Sequence, residues 1–259
     1  MGEVERPKVE RANEHWLSNL LMKSPLLLGG ARRFYKLFNR ILISSAGMKV
    51  VSADSLAISK ANIDNLFYFE RLLNLLRNVQ GDIIECGVSS GTSFAILCIL
   101  GTYGGIKRHV WGFDSFEGLP APGDEDLSSP KSIAKKGLYS ASPGMVISTL
   151  RASGVDEYTI NNQITLVKGA FSQTLSKYDG DSIALLHIDA DLYDSYKVCL
   201  ENLWPKVAVG GIAAFDEYEK PDTWPGARKA ADEYFSQQAE SMKIHRDPHV
   251  NKYYAVKLR

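Results

Sequence analysis

The sequence carries no surplus charge of either sign and no long hydrophobic run. Its 259 residues contain 30 Lys and Arg against 30 Asp and Glu, a formal net charge of zero. Because binding to a phosphate backbone needs a basic surface, this balance argues against a nucleic-acid partner. The longest nearly apolar stretch, residues 94–106, is shorter than the roughly 20 residues of a membrane span. We therefore expect no stable membrane insertion.

Cysteine is also scarce, with Cys86, Cys98 and Cys199 as the three examples. Their odd number, the absence of CxxC spacing and the lack of clustered histidines argue against a disulfide framework and a zinc site. The first residues are mixed in charge without an early apolar run, which is not typical of a secretory signal. Together with 45% hydrophobic residues, enough for a substantial core, these features predict a cytoplasmic globular protein with reduced, buried thiols.

Residues 1–60 are predicted to form an N-terminal helical extension, followed by a main domain over residues 61–259. Apolar residues recur at helical spacing through residues 16–51, interrupted by Ser-Pro and Gly-Gly pairs. The basic amphipathic segment ARRFYKLFNRIL is compatible with a membrane surface. We favour the alternative, in which this helix covers the main domain or a partner subunit.

The main domain opens with a predicted helix over residues 63 to about 78, after which short apolar runs alternate with helical segments. The runs are DIIECG, HVWGFD, ITLVKG, SIALLHID and VAVGGIAAFD, and the helical segments are residues 92–100, 143–152, 193–203 and 226–238. Buried strands separated by helices predict an α/β fold with a mostly parallel sheet and helices on both faces. The final runs, MKIHRD and NKYYAVKL, are predicted to add an antiparallel edge.

One long connection lacks a clear period. Residues 120–139 contain PAPGDEDLSSP and little helical or strand pattern. Loops of this length inside compact α/β domains are either binding loops or mobile connections, and the pattern does not choose between them.

The first predicted strand ends in IIECGVSSG and runs directly into a helix. Gly87 and Gly91 allow backbone N–H groups at the helix N-terminus to approach a ligand. Ser89 occupies the middle glycine position of GxGxxG, and Glu85 places a carboxylate where a dinucleotide pyrophosphate would lie. A cationic ligand is therefore favoured, such as the ammonium of an aminoacyl group on a nucleoside, although the glycines are also compatible with a purely structural turn. Asp114 ends the second strand, where an acid holds a ribose diol.

Acidic residues follow the fourth and fifth predicted strands. These are Asp189, Asp191 and Asp194 in LLHIDADLYDS, and Asp216, Glu217 and Glu219 in AAFDEYE. Crowded carboxylates repel one another unless a cation lies between them. Oxygen ligands favour Mg²⁺ over zinc, and a bound ion would orient a substrate hydroxyl and lower its pKa. The cluster therefore predicts a magnesium site at this edge of the sheet.

Several of these residues also have structural interpretations. Asp191 and Asp194 precede a helix and suit the role of N-cap. His187 is two residues before Asp189, so strand alternation points both side chains to one face. It is either a base or a hydrogen-bonded core residue, and the second interpretation is favoured.

Taken in order, these motifs resemble the macrocin O-methyltransferase family, whose members are S-adenosylmethionine-dependent sugar methyltransferases of natural-product pathways. The segments that carry the resemblance are ECGVSSGTS, VWGFDSFEGLP, LVKGAFSQTL, LLHIDADLYDS, WPKVAVGG, FDEYE and WPGARKAADEY. They span roughly residues 63–258. The resemblance implies a class I methyltransferase Rossmann-like fold with a seven-stranded, mostly parallel sheet.

The resemblance also implies residue roles. The implied contacts with S-adenosylmethionine are Glu85, Gly87, Val88, Ser89, Gly91, Thr92, Ser93, Asp114, Ser115, Gly169, Ala170, Phe171 and Asp189. The implied Mg²⁺ ligands are Asp189, Asp216 and Glu217, with Asp189 also the catalytic base. Two departures stand out: Glu217 replaces the usual Asp of members that act on antibiotic sugars, and Ser89-Ser90 replaces a Trp-Arg pair.

The function expected from the resemblance is Mg²⁺-dependent methylation of a sugar hydroxyl on a natural product or glycan, by a homo-oligomer that is a dimer or larger. A catechol-type phenol suits the same predicted site as an alternative acceptor. Two rivals are a nicotinamide-dependent oxidoreductase, disfavoured by Glu85 and the missing glycine, and a non-catalytic domain that uses its N-terminal helices for interaction.

Overall fold

The computed structural model describes residues 59–238 and 242–259. The helical extension predicted for residues 1–60, including the segment ARRFYKLFNRIL, therefore lies almost entirely outside the described residues. Its structure and its role stay predictions.

Seven strands in the described ranges form one sheet in the order β3-β2-β1-β4-β5-β7-β6. The strands are β1 Asp82–Cys86, β2 Val110–Asp114, β3 Ile164–Lys168, β4 Ile183–Ile188, β5 Val207–Phe215, β6 Met242–Arg246 and β7 Tyr253–Lys257. The first five pair in parallel, while β7 runs antiparallel to both β5 and β6. The predicted mostly parallel sheet and its antiparallel edge are confirmed.

The helices connect these strands. They are α1 Lys60–Leu75, α2 Thr92–Tyr103, α3 Pro143–Ala152, α4 Glu157–Gln163, α5 Phe171–Thr174, α6 Tyr193–Leu203 and α7 Pro225–Ser236, with 3-10 turns at Leu175–Lys177 and Trp204–Lys206. Helices α3 and α6 have the predicted bounds. Helix α1 begins earlier than predicted because Ser59 caps it, accepting a hydrogen bond from the Asn62 N–H at 3.1 Å. Helix α4 was not predicted from the sequence, although its N-cap Asp156, which accepts from the Thr159 N–H at 2.8 Å, is a typical signal for a helix start.

Both faces of the sheet are covered by apolar side chains. On β1, Ile83 and Ile84 are fully buried but belong to two different hydrophobic clusters, one on each face. This agrees with the near-continuous apolar strands expected of a parallel sheet covered by helices. The thiols of Cys86, Cys98 and Cys199 are free and buried, as predicted. Among the described residues, no helix has both the length and the apolar character that crossing a bilayer requires.

The long connection after β2 is folded back and anchored. The Leu119 N–H donates to the Leu138 carbonyl, and the Gly137 N–H donates to the Leu119 carbonyl, both at 2.9 Å. Asp126 is buried and accepts from the N–H of Tyr193, the first residue of α6, at 2.8 Å. This bond supplies an N-terminal cap that Leu192, the N-cap residue of α6, has no side-chain oxygen to provide. Residues 115–142, called the β2 loop below, are therefore a built part of the sheet's carboxyl edge.

Arg108 joins the end of α1 to the start of the sheet. Its side chain is 6% exposed, and its guanidinium donates to the carbonyls of Leu76, Val79 and Gly81 at 2.7–2.8 Å. These three carbonyls belong to the turn between α1 and β1, so one side chain satisfies acceptors that no helix or strand pairs.

We predict that Arg108→Leu lowers the free energy of unfolding by about 3 kcal/mol, because buried carbonyls lose their donors. Arg77→Leu is the matched control, since Arg77 is exposed and bonds the Asn74 side chain. It should change stability by no more than about 0.5 kcal/mol. Urea unfolding followed by circular dichroism compares the two variants, and equal effects would contradict this role for Arg108.

Candidate active site

A cavity of about 810 Å³ lies at the carboxyl ends of the parallel strands. Its size is within the range of small-molecule sites, and this edge is where open α/β sheets bind ligands. The residues predicted from the sequence that line it are Gly87, Val88, Ser89, Thr92, Ser93, Asp114, Ser115, Ala170, Phe171, Asp189, Asp216 and Glu217. Of the predicted set, Glu85, Gly91 and Gly169 are not among its lining residues.

The glycine turn after β1 is forced against the end of β4. Gly87 has φ +96°, and a Cβ added to it would lie 1.6 Å from the Asp189 carbonyl oxygen. Gly91 has φ +87° at the N-cap of α2, and its added Cβ would crowd Val146 at 3.0 Å. Both glycines thus have a structural reason to be glycine, as the sequence analysis allowed. The consequence for the site is that the turn and Asp189 share one wall.

Asp114 ties the end of β2 to this turn. Its Oδ2 accepts from the Ser89 N–H at 2.7 Å and its Oδ1 accepts from the Phe116 N–H at 2.6 Å. Each carboxylate oxygen keeps a second lone pair, so the side chain retains acceptor capacity toward the cavity. Its predicted bond to a ribose stays a prediction.

Glu85 and His187 form a buried pair in the middle of the sheet. The two residues are in register between β1 and β4, and His187 Nδ1 lies 2.9 Å from Glu85 Oε1 with neither side chain exposed. Burial raises the pKa of Glu85 well above its usual range and lowers the pKa of His187 to about 4. Phe69 covers the imidazole edge-on at 4.8 Å between ring centroids. Burial therefore favours the neutral form of both groups, and neither is exposed to solvent.

This pair bears on two predictions. His187 is a hydrogen-bonded core residue, the interpretation favoured from the sequence, and it does not line the cavity. The Glu85 carboxyl is also buried, against His187, and is not among the residues that line the cavity, so its expected contact with the cofactor stays a prediction.

Three carboxylates converge at the ends of β4 and β5. Asp189, Asp191 and Glu217 each offer an oxygen within 4.8 Å of the others, and they are called the acid cluster below. Burial and then the neighbouring carboxylates raise the pKa of all three, to about 7 for Asp191. Asp191 has φ +60°, an uncommon backbone conformation for a residue with a side chain. Within the described residues, these three carboxylates are thus crowded together and none is ion-paired with a lysine or arginine.

Asp216 is bonded to two lysines and is not part of the acid cluster. Lys220 Nζ donates to its Oδ2 at 2.9 Å, and Lys252 Nζ donates to its Oδ1. Burial opposes ionisation of Asp216, but Lys252 and Lys220 outweigh it and hold its pKa well below the usual value. The metal-ligand set implied by the resemblance, Asp189, Asp216 and Glu217, stays a prediction. In the structure Asp191 lies with Asp189 and Glu217, whereas both oxygens of Asp216 are ion-paired.

The alternative N-cap roles are wrong for this structure. Leu192 is the N-cap residue of α6, Asp191 lies before it in the acid cluster, and Asp194 falls in the first turn. The cap in fact comes from Asp126, which lies far away in the sequence and gave no local signal. Lys252 was missed for the same reason, whereas Lys220 follows Asp216 by four residues and was open to detection as a helical-type ion pair.

The raised pKa of Asp191 predicts a pH-dependent stability of the metal-free protein. Unfolding restores an ordinary carboxyl pKa of about 4, so the folded state is penalised progressively from pH about 4 to about 7 and by a constant amount above that. We therefore expect Asp191→Asn to raise the melting temperature in EDTA at pH 8 and to have little effect at pH 4. Differential scanning calorimetry across this range checks the sign, and an equal shift at both pH values would contradict it.

Comparison with known proteins places the chain in a family. The profile of the family described as Macrocin-O-methyltransferase (TylF) matches residues 53–252. Demethyldecarbamoylnovobiocin O-methyltransferase of Streptomyces niveus is 31% identical over 201 residues, covering 72% of this chain and 74% of that protein. Mycinamicin III 3''-O-methyltransferase of Micromonospora griseorubida is 28% identical over 171 residues, covering 64% and 65% respectively.

Solved structures agree with this placement. The O-methyltransferase NovP superposes with a TM-score of 0.62 at 27% identity, covering 76% of this chain and 81% of its own. CalS11, a calicheamicin methyltransferase, superposes with a TM-score of 0.66 over 99% of both chains, and at 24% identity this likeness supports the fold alone.

These matches remove the two rival functions, an oxidoreductase and a non-catalytic domain, because the relatives are O-methyltransferases over most of the described sheet. The sheet order and the cavity at its carboxyl edge agree with them. The chain belongs to the macrocin-O-methyltransferase (TylF) family and is a class I, S-adenosylmethionine-dependent O-methyltransferase.

Proposed function

We propose that this enzyme methylates a sugar hydroxyl, with Mg²⁺ held at the acid cluster. The observation that carries the proposal is the shared wall between the glycine turn and Asp189, which sets a cofactor site and a carboxylate site in one cavity. Two relatives support a sugar acceptor: one is a mycinamicin III 3''-O-methyltransferase, and another methylates a rhamnosyl-tetracenomycin at its 4' position.

The acid cluster fits a hard divalent cation. Its donors are all carboxylate oxygens, which Mg²⁺ prefers. Within the described part of the chain, the side chains of Asp189 and Asp191 have no hydrogen-bond partner, and Glu217 accepts only from Tyr196, whose hydroxyl lies at 2.6 Å. Asp189, Asp191 and Glu217 would therefore hold the ion, while Asp216 would join them only after release from its lysines.

When bound, S-adenosylmethionine supplies the methyl group of its sulfonium, and Mg²⁺ lowers the pKa of the acceptor hydroxyl. Asp189 takes the proton of that hydroxyl on a carboxylate oxygen. Its position on the cavity wall beside Gly87 suits this task, and its raised pKa makes it a stronger base than an exposed aspartate. Asp191, whose pKa of about 7 is close to neutral pH, is the alternative base. His187 is excluded because it is enclosed with Glu85.

The remaining residues of the cavity orient the two substrates. Ser89, Asp114 and the Ala170-Phe171 pair surround the part of the cavity that follows β1, β2 and β3, where we place the methionine, ribose and adenine of the cofactor. Positioning matters because methyl transfer needs the attacking oxygen in line with the methyl–sulfur bond, and correct alignment contributes much of the rate.

Asp189→Asn should lower kcat by about 100- to 10,000-fold, the usual range for loss of a general base. Binding of S-adenosylhomocysteine should change little, because the backbone around Gly87 is retained. Radiolabelled methyl transfer to deoxysugar glycosides, glycans and catechols measures the first quantity, and calorimetry measures the second.

Two further variants sharpen this test. Asp191→Asn should lose more activity than Asp189→Asn if Asp191 is the base. Asp181→Asn is the matched control, since Asp181 is exposed near the opposite end of β4 and should keep full turnover. Wild-type turnover by Asp189→Asn would sink the assignment of Asp189.

Removal of divalent metal should lower turnover about 100-fold or more, because polarisation of the acceptor by a metal contributes several kcal/mol. Treatment with EDTA followed by addition of Mg²⁺ in excess tests this, with restored activity as the expected result. Undiminished turnover in EDTA would refute the metal while leaving the methyl transfer itself intact.

A further inference from the structure

Two aromatic side chains lie beside the acid cluster and have no part in the chemistry proposed above. Tyr139 comes from the β2 loop, and Trp224 comes from the connection between β5 and α7. Their ring centroids are 6.3 Å apart with the planes tilted by 47°, and both rings line the cavity. Tyr139 is 47% exposed and Trp224 is 4% exposed, so the pair presents one open ring and one embedded ring.

Tyr139 is held in place by its backbone. Its φ is +64°, which costs a residue with a side chain about 1 kcal/mol and is maintained only by surrounding contacts. Its carbonyl accepts from the Ser89 hydroxyl at 3.2 Å, in the glycine turn. The Ala141 N–H, two residues further on, donates to the Phe116 carbonyl at 3.4 Å. The backbone that carries the Tyr139 ring is therefore anchored next to the glycine turn.

The two loops that carry the rings are also connected to each other. Lys131 of the β2 loop pairs with Asp222 at 2.8 Å, close to Trp224 in the sequence. Asp126 packs against Gly226 at the start of α7, where an added Cβ would lie 1.9 Å from its Oδ1. A rigid binding surface requires loops that are held in place by contacts of this kind.

Polar groups on both rings lack partners within the described ranges. Neither the Tyr139 hydroxyl nor the Trp224 indole N–H has a hydrogen bond there, although such groups usually find one when partly buried. Tyr139 and Trp224 line the same cavity as Asp189, Asp191 and Glu217. These groups are free to bond a molecule in the cavity.

The charge of the cavity limits what that molecule is. Acidic side chains outnumber Lys136 and Lys220 among the described residues that line it. Even with Mg²⁺ held at the acid cluster, the remaining acids of the lining, Asp114, Glu117, Asp194 and Asp216, outnumber these two lysines. A diphosphate would therefore meet unfavourable potential in this cavity, whereas a neutral molecule would not. Aromatic faces carry negative quadrupole charge and attract the C–H face of a pyranose ring.

We propose that Tyr139 and Trp224 form the acceptor platform, on which a neutral sugar ring of a glycoside packs while its target hydroxyl reaches the acid cluster. The Tyr139 hydroxyl bonds a second sugar hydroxyl and fixes the ring's orientation. This proposal rests on the proposed function, since it names the substrate class of the same site. It also assigns Tyr139 as a determinant of acceptor affinity, without a role in proton transfer.

The test uses the full-length enzyme with 4-nitrophenyl α-L-rhamnopyranoside, a neutral deoxysugar glycoside, and S-adenosylhomocysteine or S-adenosylmethionine. Tyr139→Ala should raise KM for the glycoside about tenfold or more with a smaller change in kcat, as loss of an aromatic contact does. Tyr139→Phe should raise KM about threefold to tenfold, the value of one hydrogen bond. Affinity for S-adenosylhomocysteine should stay within about twofold in both, because neither side chain is assigned to the cofactor.

Leu127→Ala is the matched control, because Leu127 is an exposed apolar residue of the same loop outside the cavity. It should leave KM unchanged. Trp224→Phe keeps a buried aromatic ring but removes the indole N–H. It therefore tests the role of Trp224 without leaving a cavity where the side chain packs. Melting temperatures of all variants confirm that they are folded.

Saturation-transfer NMR with the glycoside and S-adenosylhomocysteine separates binding from turnover. Binding that is lost in Tyr139→Ala supports the platform even if the wild-type enzyme does not methylate this glycoside, in which case the proposed function fails alone. Methylation with an unchanged KM in Tyr139→Ala overturns the platform and leaves the function standing. Preference for thymidine-diphosphate-rhamnose over the neutral glycoside, or no binding of either, also overturns it.

Discussion

Excess negative charge at the carboxyl edge of the sheet is the constraint on which the site depends. The structure relieves it in two ways. Asp216 is ion-paired with Lys220 and Lys252, so it stays ionised despite burial. Glu85 is buried against His187, and burial raises its pKa and so favours its neutral form. In the acid cluster, burial and the neighbouring carboxylates also raise the pKa values, but among the described residues no lysine or histidine is bonded to these carboxylates. A cavity in which a cluster of carboxylates has no bonded protein cation is suited to bind cations from solution.

The sheet topology gathers these acidic residues at one edge and places them next to the glycine turn. Strands β1 and β4 are parallel neighbours, so their carboxyl ends meet at one edge. The chain that leaves β1 passes close to the chain that leaves β4. Only glycine fits at position 87, where the backbone approaches the Asp189 carbonyl oxygen. A sulfonium bound at the turn and a metal bound at the acid cluster would both sit within reach of the same buried carboxylates. The close approach of Gly87 to the Asp189 carbonyl thus brings the glycine turn and the acid cluster together in one cavity.

Much of this arrangement was predictable because it is local in the sequence. Strand runs, the glycine turn and Asp114 follow from periodicity and from residues adjacent to strand ends, and the structure places them as predicted. The pairing of Asp216 with Lys252 and the cap on α6 were not predictable, since Lys252 and Asp126 come from distant segments brought together only by folding. The Glu85–His187 pair needed the β1–β4 register, which periodicity alone does not provide. The homo-oligomeric state and the cytoplasmic location stay predictions.

The acidic residues and the aromatic rings of the cavity contribute differently to acceptor specificity. A cluster of acids attracts any cation and distinguishes poorly among neutral hydroxyls, so it cannot select the acceptor by itself. Selection must come from groups that contact the rest of the acceptor, and in the described residues the anchored rings of Tyr139 and Trp224 are placed to do so. Acceptor choice can then change through these two loops with the chemistry unchanged. Loops attached to a rigid sheet are where such variation is tolerated at least cost in stability.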